Sequence, residues 1–210
     1  VSEHELKVLG LDLSLRGTGL CMLYGSRHGE PSMHTERFDQ PKVSGVEASI
    51  KRLIAIAEQI VGLAKCEKPD HAIIEAPAKN QQWQAAAIGE VHGVIKVQLF
   101  LATGIVPLVK EATQMRRHVV GKLERVTETV VNKKGKEVKR ASYGKVIGAS
   151  GKPRRATVKD VIEIRLRDRG LQFPSQDEMD AYVAARFCWD TVIGLPGCGS
   201  DDAKKKAKRA

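Results

Sequence analysis

Four acidic residues in this chain have the types and positions to do chemistry on a phosphodiester. Asp12 closes the apolar run Lys7-Val8-Leu9-Gly10-Leu11, and Glu75 closes a second run, Ala72-Ile73-Ile74. Asp177 and Asp180 lie three apart at the head of a late stretch with helical character. Acidic residues at the ends of paired strands, joined by a spaced acidic pair on a helix, can converge on one point. Carboxylates held close together repel each other, so such a cluster is suited to hard divalent cations. Two Mg²⁺ ions about 3.5–4 Å apart can activate a water and stabilise charge on both the attacking and the leaving oxygen. At i and i+3 of a helix, Asp177 and Asp180 share a face. Glu178 points elsewhere and is left out of the metal-binding set.

Taken singly, each residue has a plainer reading. Asp12 could start a turn, Asp177 could cap its helix, and Asp180 could be a first-turn acid favoured by the helix dipole. The four together, in this order, carry the argument.

The elements that must position them can be read from periodicity. Residues 6–13 read as a buried strand, 18–24 as its hairpin partner across Arg16-Gly17, and 32–38 as a third strand. From Ser44 to Lys65, Val46, Ile50, Leu53, Ile54, Ala57, Ile60 and Val61 keep helical spacing. Ser44 and Glu47 would form a capping box at the start of this helix. Strand 71–75 follows Pro69-Asp70, and a long helix over 81–103 carries the small residues Ala85, Ala86, Ala87, Gly89 and Gly93. Such a run lets another backbone approach, in the core or at a dimer seam. A strand at 105–109, a short helix at 111–120 and helices over 156–169 and 177–193 complete the pattern. Antiparallel strands first, then strands alternating with helices, indicate a mixed α/β sheet with helices on both faces.

The charge is uneven. The chain of 210 residues has a net charge of +10, yet residues 122–155 alone carry eleven Lys/Arg against three Glu. The tail 199–210 adds five Lys/Arg against two Asp, so the rest of the chain is close to neutral. A near-neutral body with two basic segments suits a polyanion-binding protein. The segment 122–155, with Asn132-Lys133-Lys134-Gly135 as a turn signal, reads as an extended β-hairpin, and the Lys-rich tail as disordered. No uninterrupted apolar run reaches the ~18 residues of a membrane span, and Val1–Glu5 lacks signal-peptide character. Cys21, Cys66, Cys188 and Cys198 have no Cys-x-x-Cys spacing and are expected as reduced thiols. Cytoplasmic residence is therefore expected, in a bacterium or a phage-infected host. The six His are dispersed, and His118 reads as a surface residue.

Gly10-Leu-Asp-Leu-Ser-Leu-Arg-Gly-Thr-Gly-Leu, then Ile73-Ile-Glu75, then Asp177-Glu-Met-Asp180-Ala, resembles the RuvC family of Holliday-junction resolvases. This family lies within the RNase H-like superfamily, and the likeness is greatest to phage-type members. Gly89-Glu-Val-His-Gly93 and Val119-Val-Gly121 fit the same scheme, so the resemblance covers roughly residues 6–190. It implies an RNase H-like mixed five-stranded sheet flanked by helices, here with a basic hairpin-like insertion. The expected organisation is a nuclease domain over 1–195, interrupted by 122–155, and a basic tail over 196–210.

The resemblance further implies a homodimeric endonuclease that cuts four-way junctions and leaves a 5′-phosphate and a 3′-hydroxyl. Its metal ligands would be Asp12, Glu75, Asp177 and Asp180, holding two Mg²⁺, with Mn²⁺ able to substitute. Arg116 stands where the family carries a Lys near the catalytic site, five residues before Gly121. A second family Lys, before the penultimate helix, has Lys152, Arg155 and Lys159 as candidates, with Arg155 favoured. DNA contacts are expected from Arg116, Arg117, Lys133, Lys134, Lys136, Lys152, Arg154, Arg155 and Lys159, and Tyr143 could add stacking. The family often has an aromatic wedge after the second acidic residue. Here Ala76-Pro-Ala-Lys-Asn80 has none, and Trp83 is either that wedge or a packing residue. Alternatives are a broader nuclease acting on flaps or RNA, and a non-catalytic protein that binds branched DNA. The Asp12 hairpin also resembles the phosphate-binding hairpin of actin-like ATPases, but that fold needs two such domains and more residues than this chain has.

Overall fold

The computed structural model describes residues 5–77, 82–123, 126–131, 136–147 and 151–194. The chain divides into two compact units, the first formed by Val1–Val119 with Phe173–Ala210 and the second by Val120–Gln172.

The first unit is built on a five-stranded sheet. Its strands are β1 (Leu6–Asp12), β2 (Gly17–Gly25), β3 (Ser32–Asp39), β4 (His71–Glu75) and β5 (Leu108–Lys110), in the order β3-β2-β1-β4-β5. β2 lies antiparallel to both β1 and β3, while β4 is parallel to β1 and to β5. The turn from β1 to β2 is tied by side chains. The Ser14 hydroxyl donates to the Gly17 carbonyl at 2.8 Å and accepts from the Gly17 amide at 2.9 Å, and Thr18 Oγ1 donates to the Ser14 carbonyl at 3.0 Å. Those bonds fix the chain just beyond Asp12.

Side chains alternate across a strand, so the sheet has two unlike faces. Leu9, Leu11, Leu20, Met22, Ala72 and Ile74 join a wholly apolar core with α1 (Val46–Glu67) and α2 (Gln82–Thr103). Burying each large aliphatic side chain there contributes about 1.5–3 kcal/mol. Gly10, Asp12, Gly19 and Glu75 lie on the other face, against α5 (Gln176–Val192). A Cβ on Gly10 would stand 2.3 Å from the Ala181 carbonyl oxygen, and one on Gly19 would stand 2.1 Å from that of Asp177. The two glycines therefore let α5 lie directly on the sheet.

The elements expected from sequence are present, with instructive differences. Gly45 (φ 90°), rather than Ser44, caps α1, without a side-chain hydrogen bond, and Glu47 pairs with Lys51 instead of closing a capping box. The buried stripe of α1 runs through Ile56, Ala57, Ile60 and Ala64, leaving Val46, Ile50 and Ile54 exposed. Within the chain, a Cβ on Gly89 or Gly93 would meet nothing within 4 Å, so these two glycines do not serve a close approach in the core. Ala86–Thr103 is long and apolar enough to cross a membrane, with a mean hydropathy of 1.2. Val91, Ile95 and Leu99 of this helix sit in the core, and its exposed side carries Glu90 and Lys96 as well as Val97, Phe100 and Leu101. His92 is buried on this helix, and burial, with a smaller effect of Lys96, lowers its pKa to about 4. The side chain of Trp83 lies outside the described residues. α3 (Ala112–Val120) follows β5 and ends the first unit's run of chain.

The second unit contains two antiparallel hairpins rather than one long one. β6 (Val126–Val131) pairs with β7 (Glu137–Ser142), and β8 (Lys145–Ile147) pairs with β9 (Pro153–Arg155). The expected turn at 132–135, with Lys133 and Lys134, lies outside the described residues, as do Cys198 and the basic tail. α4 (Val158–Arg167) closes the unit and begins with a complete capping box between Thr157 and Asp160.

Candidate active site

Strand register places the first two acidic residues side by side. Asp12 pairs with Gly19 on β2, and Gly19 pairs with Arg37 on β3. On the other side, Asp12 and Glu75 stand one step past the Leu11–Ile74 pair, and Glu75 is matched with Lys110 on β5. One row across the sheet thus reads Arg37, Gly19, Asp12, Glu75, Lys110. Residues in such a row project to the same side.

The first turn of α5 lies over this row. Ser175 caps the helix, accepting from the Glu178 amide at 3.2 Å, and its hydroxyl donates to Glu178 Oε1 at 2.9 Å. Thr35 Oγ1 donates to Glu178 Oε2 at 2.8 Å. Glu178 is therefore held by the cap and by β3, while Asp177 and Asp180 are directed elsewhere. Gly19 lies under Asp177, where any side chain would push the helix away.

Arg116 arrives from α3. Its Nη2 donates to Asp180 Oδ1 at 2.9 Å and stands 3.4 Å from Glu75 Oε1. Asp180 is buried, with 1% of its side chain exposed. Burial disfavours the charged guanidinium, but Glu75, Asp180 and, more weakly, Asp12 outweigh it and raise its pKa. Asp177 has a different partner: Arg37 Nε lies 3.2 Å from its Oδ2, and Arg37 Nη2 lies 2.7 Å from Asp39 Oδ1. The four sequence-selected carboxylates thus occupy one end of one sheet face, with arginines between them.

These donors suit Mg²⁺ by type, being hard carboxylate oxygens on two neighbouring strands and a helix. Arg116 contacts Glu75 and Asp180, and Arg37 contacts Asp177. Among the described residues, no three His, Cys, Asp or Glu side chains are gathered closely enough to hold a metal ion. Between Glu75 and Asp180 lies the guanidinium of Arg116.

His118 is not the surface residue its sequence suggests. Its Nε2 lies 3.1 Å from Asp190 Oδ2, and its ring packs edge-on against Phe187 at 5.0 Å. Arg186 also donates to Asp190, at 2.8 Å. One turn of α5, through Phe187 and Asp190, is in this way joined to α3, the helix that carries Arg116.

The basic candidates differ in setting. Arg117 and Lys136 are exposed, as are Lys152 and Arg155, while Lys159 is half-buried. Arg154 forks Asp160 at 2.7 and 2.6 Å. That bond chiefly, with the Thr157 contacts, holds the Asp160 carboxyl well below its ordinary range. Cys21, Cys66 and Cys188 are free thiols, and burial pushes Cys188 up to about 11. Arg37 and Lys110 escaped the sequence reading, because only register shows that they flank the acidic pair.

The sheet order, the helices on both faces and the carboxylate row define an RNase H-like fold. No family model matches the chain, and neither does any curated protein. Among solved structures, it is similar to Thermus thermophilus RuvC, with a TM-score of 0.62 at 16% identity, covering 91% of this chain and 99% of that one. The same protein in complex with a Holliday-junction substrate gives a TM-score of 0.61 at 14% identity, covering 91% and 98%. The chain therefore has the RuvC fold.

Proposed function

We propose that this protein is a divalent-metal-dependent endonuclease that cuts branched DNA, four-way junctions in particular. The observation that carries the reading is that Asp12 and Glu75 end neighbouring strands on the sheet face that the start of α5, with Asp177 and Asp180, lies over. Its support is the fold shared with Thermus thermophilus RuvC, which has been solved with a Holliday-junction substrate.

Asp12, Glu75 and Asp180, with Asp177 once turned from Arg37, would hold the ions. Two bound Mg²⁺ would supply an activated water and charge stabilisation at the scissile phosphate, with Mn²⁺ able to replace them. The chain's own residues do the rest. The Gly19–α5 contact fixes the distance between the strand carboxylates and the helix carboxylates. Arg116 offers a guanidinium to the phosphate, and Arg37 and Lys110 flank the row with positive charge. Hydrolysis would leave a 5′-phosphate and a 3′-hydroxyl.

The basic second unit, with Lys136, Lys152 and Arg155 exposed, is assigned to phosphates of the junction arms, giving salt-sensitive binding without sequence readout. Symmetric cutting needs two such sites, hence a homodimer. Exposed Val97, Phe100, Leu101 and Val106, at the end of α2 and beyond it, offer an apolar surface for it.

The test is cleavage of labelled four-way junction, flap and linear duplex DNA, with Mg²⁺ or with EDTA, by the wild type and Asp12→Asn. Symmetric junction nicks that vanish with EDTA and in the variant are expected. Cutting of every branched form would make it a general structure-selective nuclease. Junction binding without cutting would overturn the catalytic reading.

A further inference from the structure

Arg116 stands where, on the reading just given, a divalent cation belongs. Its Nη2 lies between Asp180 Oδ1 and Glu75 Oε1. A cation there offsets the repulsion that gathered carboxylates would otherwise feel. Yet its hold is one-sided. The Nε is buried and has no acceptor among the described residues. Arg154 is the contrast within the same chain: it grips Asp160 with two nitrogens, in the fork that a structural arginine normally makes. An arginine that bridges two carboxylates with a single nitrogen, and without a fork, is more easily replaced by another cation than one gripped at two points. Arg37 repeats the theme on Asp177, which it shares with Asp39.

We propose that Arg116 is a built-in counter-cation of the acidic centre. It keeps Glu75 and Asp180 together while no metal is bound, is displaced by the incoming divalent cation, and is then free to take a phosphate of the DNA. The inference rests on the metal-dependent reading above. By linkage, what the metal does to the Arg116 contact, that contact does to the metal: each weakens the other by the same factor.

The test uses the full chain, with Mn²⁺ and Mg²⁺ alone as probes and no DNA. Arg116→Gln should bind Mn²⁺ about tenfold more tightly than wild type, because a unit positive charge close to the ion has been removed. Melted in EDTA, the variant should unfold at a lower temperature than wild type, and added Mg²⁺ should raise its melting temperature by more. A second readout needs no variant. In ¹⁵N-arginine-labelled wild type, the Arg116 Nε signal should shift as Mg²⁺ is added while that of Arg154 stays in place. Equal or weaker Mn²⁺ binding by Arg116→Gln, or an Arg116 signal that ignores Mg²⁺ while the protein still binds it, overturns the exchange and leaves the nuclease reading standing. If neither protein binds either ion, the metal-dependent reading fails, and this inference fails with it.

Discussion

Thr157-Val-Lys-Asp160 opens α4 and Ser175-Gln-Asp-Glu178 opens α5, two helix starts on the same pattern of a hydroxyl followed three residues later by an acid. In each, a hydroxyl accepts from the amide three residues on, and an acidic side chain returns to the cap. They differ in what is left over. At α4 the single carboxylate is fully occupied: Asp160 takes the Thr157 amide and hydroxyl at 2.6 and 2.7 Å and the Arg154 fork besides. At α5 the capping duty falls to Glu178, leaving Asp177 in the first turn and Asp180 just beyond it. One faces Arg37 and the other Arg116. A carboxylate satisfied by its own helix start is architecture. Asp177 and Asp180 take no part in the cap; they lie over the ends of two strands, and each is paired with an arginine.

The largest expected effect tests that distinction directly. Asp12→Asn should lower Mg²⁺-dependent junction cleavage by ~10²–10³-fold or more, as loss of transition-state charge stabilisation does. Its melting temperature should stay near that of wild type. A variant that cuts at the wild-type rate would remove Asp12 from the reaction and dissolve the contrast between the two helix starts.

Gly19→Ala tests the scaffold beneath α5. The new methyl would meet the Asp177 carbonyl at 2.1 Å, so the helix must shift or the strand must bend. Overpacking of this kind costs about 1–3 kcal/mol. Cleavage should fall at least about tenfold, because a displacement near 1 Å separates the helix carboxylates from Asp12 and Glu75. A melt and a cleavage assay on one preparation check both. If stability falls and cleavage does not, the close contact serves packing alone.

Much of this arrangement was legible in the sequence, and the reasons are physical. Apolar runs ending in Asp12 and Glu75 mark strand ends because side-chain alternation ties an in-facing acid to the last position. The five strands and the five main helices follow from periodicity, which is a local property. What was not legible depends on pairing. Arg37 and Lys110 enter the acidic row only through register, and Glu178, rightly read as pointing away, finds its partner Thr35 143 residues away in sequence. His118 looked superficial until α5 supplied Asp190 and Phe187. The start of α1 was misread because Ser44-Gly45 offers two candidate caps, and the backbone takes the one that tolerates a φ of 90°. The expected single hairpin over 122–155 became two because the local turn signals do not determine how many strands pair.

Asp160→Asn is the counterpart of Asp12→Asn. It should cost about 1–3 kcal/mol, from the cap and the charged hydrogen bonds, and leave cleavage within about threefold of wild type. The pH dependence carries a sign. The Asp160 carboxyl is depressed in the fold, chiefly by Arg154, so its contribution is fully present above the unfolded value of about 3.9 and is lost as pH falls below it. The stability gap between wild type and variant should therefore be flat from pH 7 to about pH 5 and narrow measurably by pH 3, closing only at still lower pH. His92 destabilises both proteins alike in acid. Its pKa is about 4 in the fold, so protons favour the unfolded chain from about pH 6.5 downward. The difference between the two proteins isolates Asp160, and a gap that stays constant to pH 3 would overturn the assignment.

The finest comparison removes only the two cap hydroxyls. Thr157→Ala and Ser175→Ala each delete one N-cap acceptor, and each should cost about 1 kcal/mol. Equal losses of stability should have unequal consequences. At α4 the Asp160 carboxylate still holds the Thr157-position amide and Arg154, so junction cleavage should be unchanged. At α5 the lost hydroxyl frees one side of Glu178 and loosens the turn that carries Asp177 and Asp180. Cleavage by Ser175→Ala should fall several-fold at limiting Mg²⁺ and recover at saturating Mg²⁺, because a bound ion can re-gather carboxylates that the cap no longer aligns. Matched denaturant melts and Mg²⁺ titrations of the two variants decide it. If Ser175→Ala titrates like Thr157→Ala, the first turn of α5 does not need its cap to present its acids, and the carboxylates must be held from the arginine side instead.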